Sequence, residues 1–222
     1  MAITPKITVV KNGPYLVTGN VPLEQEIAVT DVIFPVRWVG GEKYPAKTQY
    51  TLCRCGKSSK MPYCDASHVK LSFDGTETAN NLSFELRAEK VTGPGIDLAD
   101  VVELCSGARF CDVGGGTWEL TKKSDDPAAK QKVLQQTFDC PSGRLVAIDK
   151  GTGKPIEPPF EESISVTEDQ VSGISGPLWV KGGIPVESSD GTIYEIRNRV
   201  TLCRCGRSAN KPFCDGTHMQ KG

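Results

Sequence analysis

Histidine is scarce in this chain, which has only His68 and His218 among 222 residues. A Ser-His-Asp or Cys-His hydrolase needs a histidine that is free to act as a base, so such an enzyme is close to excluded if both have another role. The chain has no run of 18 apolar residues, which argues against a transmembrane span. Its net charge is -1, which gives no overall attraction for nucleic acid or an anionic membrane. We expect neither partner.

Aromatic residues make up only 7% of the chain, whereas glycine and proline are plentiful, at 23 and 15 residues. This composition favours short strands and loops, and thin cores of this kind are commonly stapled by metals or disulfides. The N-terminal stretch MAITPKITVV lacks the features of a secretory signal, so we expect a cytoplasmic protein. Nine cysteines in such a protein indicate metal or redox chemistry rather than a disulfide framework.

The most informative feature is a stretch that is written twice. TLCRCGKSSKMPYCDASH (51–68) and TLCRCGRSANKPFCDGTH (201–218) agree at 11 of 18 positions. Three cysteines and one histidine recur in each copy with an offset of 150, and the upstream segments 7–23 and 164–186 also resemble each other. The N-terminal copy carries about 13 extra residues near DVIFPVRWVGGEKYPA.

This duplication divides the chain into three parts. We predict two homologous β-rich modules, an N-terminal module (1–80) and a C-terminal module (151–222), on either side of a different central segment (81–150). In the central segment the patterns predict a strand over LSFELRA (82–88), a hairpin turn at GGGTW (114–118), a helix over 125–138 with an aspartate cap, and a strand over RLVAID (144–149).

Each copy of the repeat has the spacing of a metal site. Two cysteines separated by one residue point to the same face of an extended segment. A cysteine and a histidine four residues apart share a face where a helical turn follows the proline. In that turn an aspartate, Asp65 or Asp215, would satisfy free N–H groups. The predicted ligands are Cys53, Cys55, Cys64 and His68 in the first copy and Cys203, Cys205, Cys214 and His218 in the second.

Spacing alone leaves the metal open. Structural zinc sites commonly use cysteine pairs two to four residues apart, whereas here one residue separates the first pair. Thiolates also hold iron–sulfur clusters, in which imidazole can replace thiolate on one iron. The spacing favours an iron–sulfur cluster over zinc.

The pattern Cys-x-Cys followed by Pro-x-Cys-Asp-Gly-Ser/Thr-His resembles the CDGSH-type iron–sulfur (NEET) family. This resemblance implies one [2Fe-2S] cluster in each module, held by the eight residues named above. The first copy departs from the pattern because Ala66 stands where the second keeps Gly216. If that position needs a positive φ, alanine costs on the order of 1 kcal/mol. Single-module relatives pair as dimers, so the two modules are expected to form an intramolecular pseudo-dimer.

The central segment contains the three remaining cysteines, Cys105, Cys111 and Cys140, the last followed by proline. Cys-Pro after a helix and before an apolar strand resembles the last ligand of monocluster ferredoxins. Their earlier ligands read Cys-x-x-Cys-x-x-Cys, and here Ala108 occupies the middle position. The resemblance implies a third cluster, with [3Fe-4S] favoured over [4Fe-4S]; buried structural cysteines remain the alternative. The expected fold is mostly β with short helices (α+β), two small β-rich CDGSH modules and a ferredoxin-like α+β segment.

These sites predict an electron-transfer protein that is not an enzyme. The windows around both copies are basic, and Lys57 and Arg207 occupy equivalent positions that suit docking of an acidic reductase or electron acceptor. One alternative is a cluster store, a donor to an apo-acceptor, or a redox or pH sensor, which would lose clusters below about pH 6.5 as His68 and His218 protonate. The other is a zinc-binding structural adaptor, which would be colourless.

Overall fold

The computed structural model describes residues 4–45 and 47–220. The first three residues of the N-terminal stretch, Ala46 of the predicted insertion, and the last two residues lie outside the described part. In chain order the strands are β1 (Lys6–Val9), β2 (Tyr15–Thr18), β3 (Leu23–Thr30), β4 (Pro35–Lys43), β5 (Gln49–Leu52), β6 (Glu89–Val91), β7 (Ile96–Asp100), β8 (Leu145–Asp149), β9 (Pro155–Ile156), β10 (Ser163–Asp169), β11 (Ile174–Lys181), β12 (Val186–Glu187) and β13 (Arg199–Leu202).

The helices are short apart from one. They are α1 (Ser67–Lys70), α2 (Phe84–Arg87), α3 (Thr117–Thr121) and α4 (Pro127–Asp139), with 3-10 turns at Val102–Leu104, Phe110–Gly115 and Thr217–Met219. The predicted mostly-β fold with short helices is therefore confirmed. No helix in the described ranges has the length and apolar character needed to cross a bilayer.

The N-terminal and C-terminal modules share two sheets. One sheet has the order β12-β1-β2-β5 and the other β13-β11-β10-β3-β4. In each sheet the modules meet through a parallel pair, β1 with β12 and β3 with β10. Buried apolar side chains from both modules, including Ile7, Leu52, Ile164 and Leu202, form one core. Hydrophobic burial therefore holds the modules to each other as well as stabilising each one.

The central segment has a sheet of its own, with the order β6-β7-β8-β9. Helix α4 packs Val133 against Ile96 and Ala147 of this sheet. Strand β9 ends at Ile156, so the sheet extends beyond residue 150. The extra residues of the N-terminal copy lie in the β3–β4 hairpin.

Two local predictions for the central segment are confirmed. The predicted helix is α4, and the Asp126 carboxylate accepts the Ala128 N–H at 3.0 Å, as expected of a cap. The strand over RLVAID is β8.

Two others are wrong. The segment 82–88 forms helix α2 instead of a strand, and Leu82 and Leu86 of its apolar alternation are exposed, so the alternation did not mark a buried face. The GGGTW stretch is not a hairpin turn. Its glycines 114–116, all with positive φ, link a 3-10 turn to α3.

Candidate metal centres

Each copy of the repeat forms the same loop at the end of a strand. In the N-terminal module Cys53 follows β5, and its N–H donates to the Pro62 carbonyl at 2.8 Å, while the Cys64 N–H donates to the Thr51 carbonyl at 3.0 Å. The equivalent bonds in the C-terminal module join Cys203 to Pro212 and Cys214 to Thr201, both at 2.8 Å. Main-chain bonds thus bring the proline-containing segment of each copy back beside the Cys-x-Cys segment.

The predicted ligands lie in pairs. The Sγ atoms of Cys53 and Cys55 are 3.8 Å apart, and Cys64 Sγ lies 3.4 Å from His68 Nδ1. The same two distances recur at the second copy, between Cys203 and Cys205 and between Cys214 and His218. In the part of the chain that is described, no three His, Cys, Asp or Glu side chains converge on one ion-sized position. Each copy thus presents its four predicted ligands as two donor pairs; as metal ligands these eight residues stay predictions.

The two aspartates of the repeat hold the loops that carry the cysteine–histidine pairs. Asp65 accepts the Ser67 N–H at 3.0 Å and the Ser59 N–H at 2.8 Å. Hydrogen bonds from Ser67 and then Ser59 lower the pKa of this carboxyl. Asp215 makes the matching bonds to Thr217 and Ala209. Burial raises the pKa of Asp215, but these hydrogen bonds outweigh it, so the net shift is downward.

The position at which the two copies differ has a positive φ in both. Ala66 has φ 67° and Gly216 has φ 81°. Each N–H at this position lies 3.4 Å from the sulfur two residues earlier, Cys64 Sγ or Cys214 Sγ. The turn thus directs an N–H donor at the sulfur of a predicted ligand. Alanine in this conformation costs on the order of 1 kcal/mol relative to glycine.

The arginine between the paired cysteines is buried in both copies, so it does not contribute to the basic surface expected around the sites. Arg54 is 1% exposed and Arg204 is 7% exposed, so neither can belong to a docking surface. The Arg54 guanidinium donates to the Gly75 and Val10 carbonyls, and its Nε is buried without a hydrogen-bond partner. Arg204 instead pairs with the Glu168 carboxylate at 2.8 Å.

The surroundings of Arg54 show whether these residues suit an iron–sulfur cluster. A buried cation is costly unless an opposite charge compensates it. In the described residues its hydrogen bonds go only to main-chain carbonyls. Cys53 and Cys55, which flank Arg54 in the sequence, would supply this negative charge as thiolates bound to an iron–sulfur cluster. The donor set and the buried cation therefore fit an anionic cluster.

At the C-terminal copy the pKa shifts of two predicted ligands favour metal binding, whereas the hydrogen bond to Cys205 raises the pKa of Cys203 and burial raises the pKa of Cys214 to about 12. Burial lowers the pKa of His218 to about 4, and the charges of Arg204 and Arg207 add to this shift. The Cys203 hydrogen bond lowers the pKa of Cys205 to about 6, against the opposing effect of burial. Neutral imidazole and thiolate are the forms that bind metals.

The two copies face each other at their Cys-Gly steps. A Cβ added at Gly56 would lie 2.5 Å from the Cys205 carbonyl oxygen, and one added at Gly206 would lie 2.6 Å from that of Cys55. Both glycines have positive φ. Their recurrence at an offset of 150 was a signal that sequence reasoning did not use.

A tyrosine from the N-terminal module supports the C-terminal site. The Tyr15 hydroxyl lies 2.8 Å from the Cys203 carbonyl oxygen and 3.0 Å from that of Pro212. No sequence signal marked Tyr15. It pairs with Leu52 of β5, and the equivalent residue of the second module, which pairs with Leu202 of β13, is the apolar Leu178.

The three central cysteines converge on one cavity. Cys105 follows a 3-10 turn, Cys111 lies within the next, and Cys140 caps α4. All three line this cavity together with Ala108 and Arg144. Burial raises the pKa of Cys111 to about 12, and the charge of Asp112 and then the other two cysteines add to the shift. The structure thus brings together the residues predicted for a third site.

The proposed docking residues are accessible. Lys57 and Arg207 are exposed, and the Arg207 guanidinium donates to the Gln220 carbonyl at 3.1 Å. All nine cysteines lie in the described part of the chain and are free.

Three segments of the chain match protein-family models. Residues 12–69 and 175–219 match the model of the iron-binding zinc finger of CDGSH type. Residues 91–150 match the model of the divergent 4Fe-4S mono-cluster. Neither a curated protein nor a solved structure matches the chain significantly.

Proposed function

Because the chain is an iron–sulfur protein in which two CDGSH segments flank a divergent 4Fe-4S mono-cluster segment, we propose that it transfers electrons. The two CDGSH sites would each hold a [2Fe-2S] cluster, with one iron on the Cys-x-Cys pair and the other on the cysteine and histidine. The central cysteines would hold a third cluster, of [3Fe-4S] type, since Ala108 supplies no thiolate. The proposal is for a carrier rather than an enzyme, and for work in the cytoplasm, where free cysteines persist.

The observation that carries this proposal is the duplicated pairing of ligands. Sulfur–sulfur and sulfur–nitrogen distances repeat between the copies, and a buried arginine lies between the paired cysteines in each. A [2Fe-2S] cluster takes two donors on each iron, as these pairs provide. The shared sheets and the Gly56–Cys205 and Gly206–Cys55 contacts support the pseudo-dimer within one chain.

The test is a visible spectrum of anaerobically purified protein, with iron, zinc and acid-labile sulfide counted on the same sample. We expect about seven irons and eight sulfides per chain, the sum of two [2Fe-2S] clusters and one [3Fe-4S] cluster. About four of each would make the central cysteines structural. A colourless protein containing zinc, even from an iron-replete preparation, would overturn the proposal in favour of the zinc-binding adaptor.

An acidic redox protein is the partner that the exposed cations would suit. Reversing the charge of Lys57 or Arg207 should slow electron transfer and weaken its dependence on salt. A control is reversal of exposed Lys123 in the central segment. Unchanged rates and salt dependence in both site variants would contradict the docking role.

Cluster donation is the second candidate, and the N-terminal site is where it is favoured. Ala66 holds a positive φ there, and the flanking Val69 is 68% exposed. A donor would pass a cluster from this site to an apo-acceptor, whereas a carrier keeps it through reduction.

A further inference from the structure

The C-terminal CDGSH site and the central cysteines share a wall. Ser106, Gly107 and Ala108 line the cavity that contains the three central cysteines. The same three residues line a second cavity, whose other walls include His218 and Met219. Pro141, which follows Cys140, lines this second cavity as well. One short loop thus separates a ligand of the C-terminal site from the central site.

The ligand-bearing loops are also in direct contact. A Cβ added at Gly216, between Cys214 and His218, would lie 3.1 Å from the Cys105 carbonyl oxygen and 3.6 Å from the Gly107 nitrogen. Gly107 has φ +72°, and a Cβ there would lie 2.7 Å from Met219 Cγ. Glycine at both positions permits this approach.

The matching surface of the N-terminal site is open. Ala66 takes the place of Gly216 and is exposed. Val69 and Leu71, which follow His68, are 68% and 57% exposed. This asymmetry explains why the two copies differ: a methyl group fits at residue 66, which faces solvent, and is crowded at residue 216.

We propose that the three sites form a linear series in which the C-terminal CDGSH site is the middle member and the Ser106–Ala108 loop is its bridge to the central site. The other side of the middle site meets the N-terminal site through Gly206 and Gly56. This inference rests on the proposed function. An external one-electron redox protein would reduce the N-terminal site, and each step along the series oxidises one site and reduces its neighbour by the same electron.

Paramagnetic relaxation tests the order directly in full-length protein. Cys64→Ala leaves the C-terminal and central sites, and Cys214→Ala leaves the N-terminal and central sites. For each of these chains we compare two samples, one with Cys111 and one carrying Cys111→Ala, which removes a central ligand. The quantity compared is the microwave power that half-saturates the electron paramagnetic resonance signal of the reduced [2Fe-2S] cluster. We expect loss of the central cluster to lower this power several-fold in the Cys64→Ala chain and far less in the Cys214→Ala chain.

Equal changes in both chains, a larger change in the Cys214→Ala chain, or none in either would overturn the series. Iron and sulfide counts on the same samples separate this result from failure of the proposed function. A protein that fills both CDGSH sites and no third site would overturn the series while leaving a two-cluster carrier.

A second measurement needs no ligand variant. Gly216→Ala places a methyl group against the Cys105 carbonyl, and Ala66→Gly is the matched change at the open site. Amide hydrogen exchange of residues 106–108 should become faster in Gly216→Ala and stay unchanged in Ala66→Gly. Unchanged exchange in both would show that the loops do not hold each other and would overturn the bridge.

Discussion

Replacing Glu168 by glutamine should raise the reduction potential of the C-terminal cluster. Glu168 neutralises Arg204, the buried arginine between Cys203 and Cys205, across a 2.8 Å contact. At the N-terminal site the Arg54 guanidinium hydrogen-bonds, among the described residues, to main-chain carbonyls alone. Glu168→Gln thus leaves Arg204 without the carboxylate that contacts it, as Arg54 has no carboxylate in hydrogen-bond contact among the described residues. A net positive charge near a cluster favours the reduced, more negative state.

The magnitude follows from Coulomb's law. Two unit charges about 10 Å apart, in an effective dielectric constant of about 20, interact by roughly 1.7 kcal/mol, and we take this as the scale of the effect of Glu168. For a one-electron couple this corresponds to about 70 mV. The Glu168 side chain is 20% exposed, and solvent screening reduces the effect, so we expect a rise of about 30 to 70 mV.

The assay is a potentiometric titration of the Cys64→Ala chain, in which the C-terminal site is the remaining CDGSH site. The control is Glu119→Gln, which removes one negative charge from an exposed pair with Lys122 and should shift the potential little. An unchanged or lower potential in Glu168→Gln, with the cluster content intact, would refute the charge argument.

Three further predictions test separate parts of the C-terminal site and the central site. Tyr15→Phe removes the hydroxyl that lies beside the Cys203 and Pro212 carbonyls and should lower the free energy of unfolding by about 1–2 kcal/mol; denaturant unfolding measures this, and an unchanged midpoint would contradict the role. Ala108→Cys adds a fourth thiolate to the central site and should raise the iron count from about seven to about eight per chain. An unchanged iron count would show that residue 108 does not face a cluster. Because the pKa of His218 is lowered to about 4, the imidazole stays neutral between pH 6.5 and about 4, so the Cys64→Ala chain should keep its C-terminal cluster at pH 5. Cluster loss near pH 6.5 would contradict this. The free energy of unfolding should decrease as the pH falls from 6.5 to about 4, because the histidine of the unfolded chain binds its proton at a higher pH than His218 of the folded chain.

The repeat made the ligand pairs predictable. Cys53 and Cys55, like Cys203 and Cys205, needed only an extended segment to meet, and residue spacing specifies that directly. Helix α4 could be predicted equally well, because Asp126 is a capping residue and helix-forming residues follow it. Both predictions rest on interactions between residues close in sequence.

The contacts between modules could not be predicted in this way. Pairing of β1 with β12 joins residues about 180 positions apart, and no local pattern specifies it. The burial of Arg54 and Arg204 has the same origin, since their partners are remote in sequence. Arg54 donates to the carbonyls of Val10 and Gly75, which lie in loops, and Arg204 pairs with Glu168 of β10. In α2 an apolar alternation was misleading because tertiary packing left Leu82 and Leu86 exposed.

Spectroelectrochemical reduction and reoxidation of the intact protein, with iron counted before and after, tests the carrier function most directly. We predict that the visible absorption of every cluster bleaches on reduction and returns in full on reoxidation, with about seven irons per chain throughout. Irreversible bleaching with loss of iron to solution or to an apo-acceptor would contradict electron transfer and identify a cluster donor.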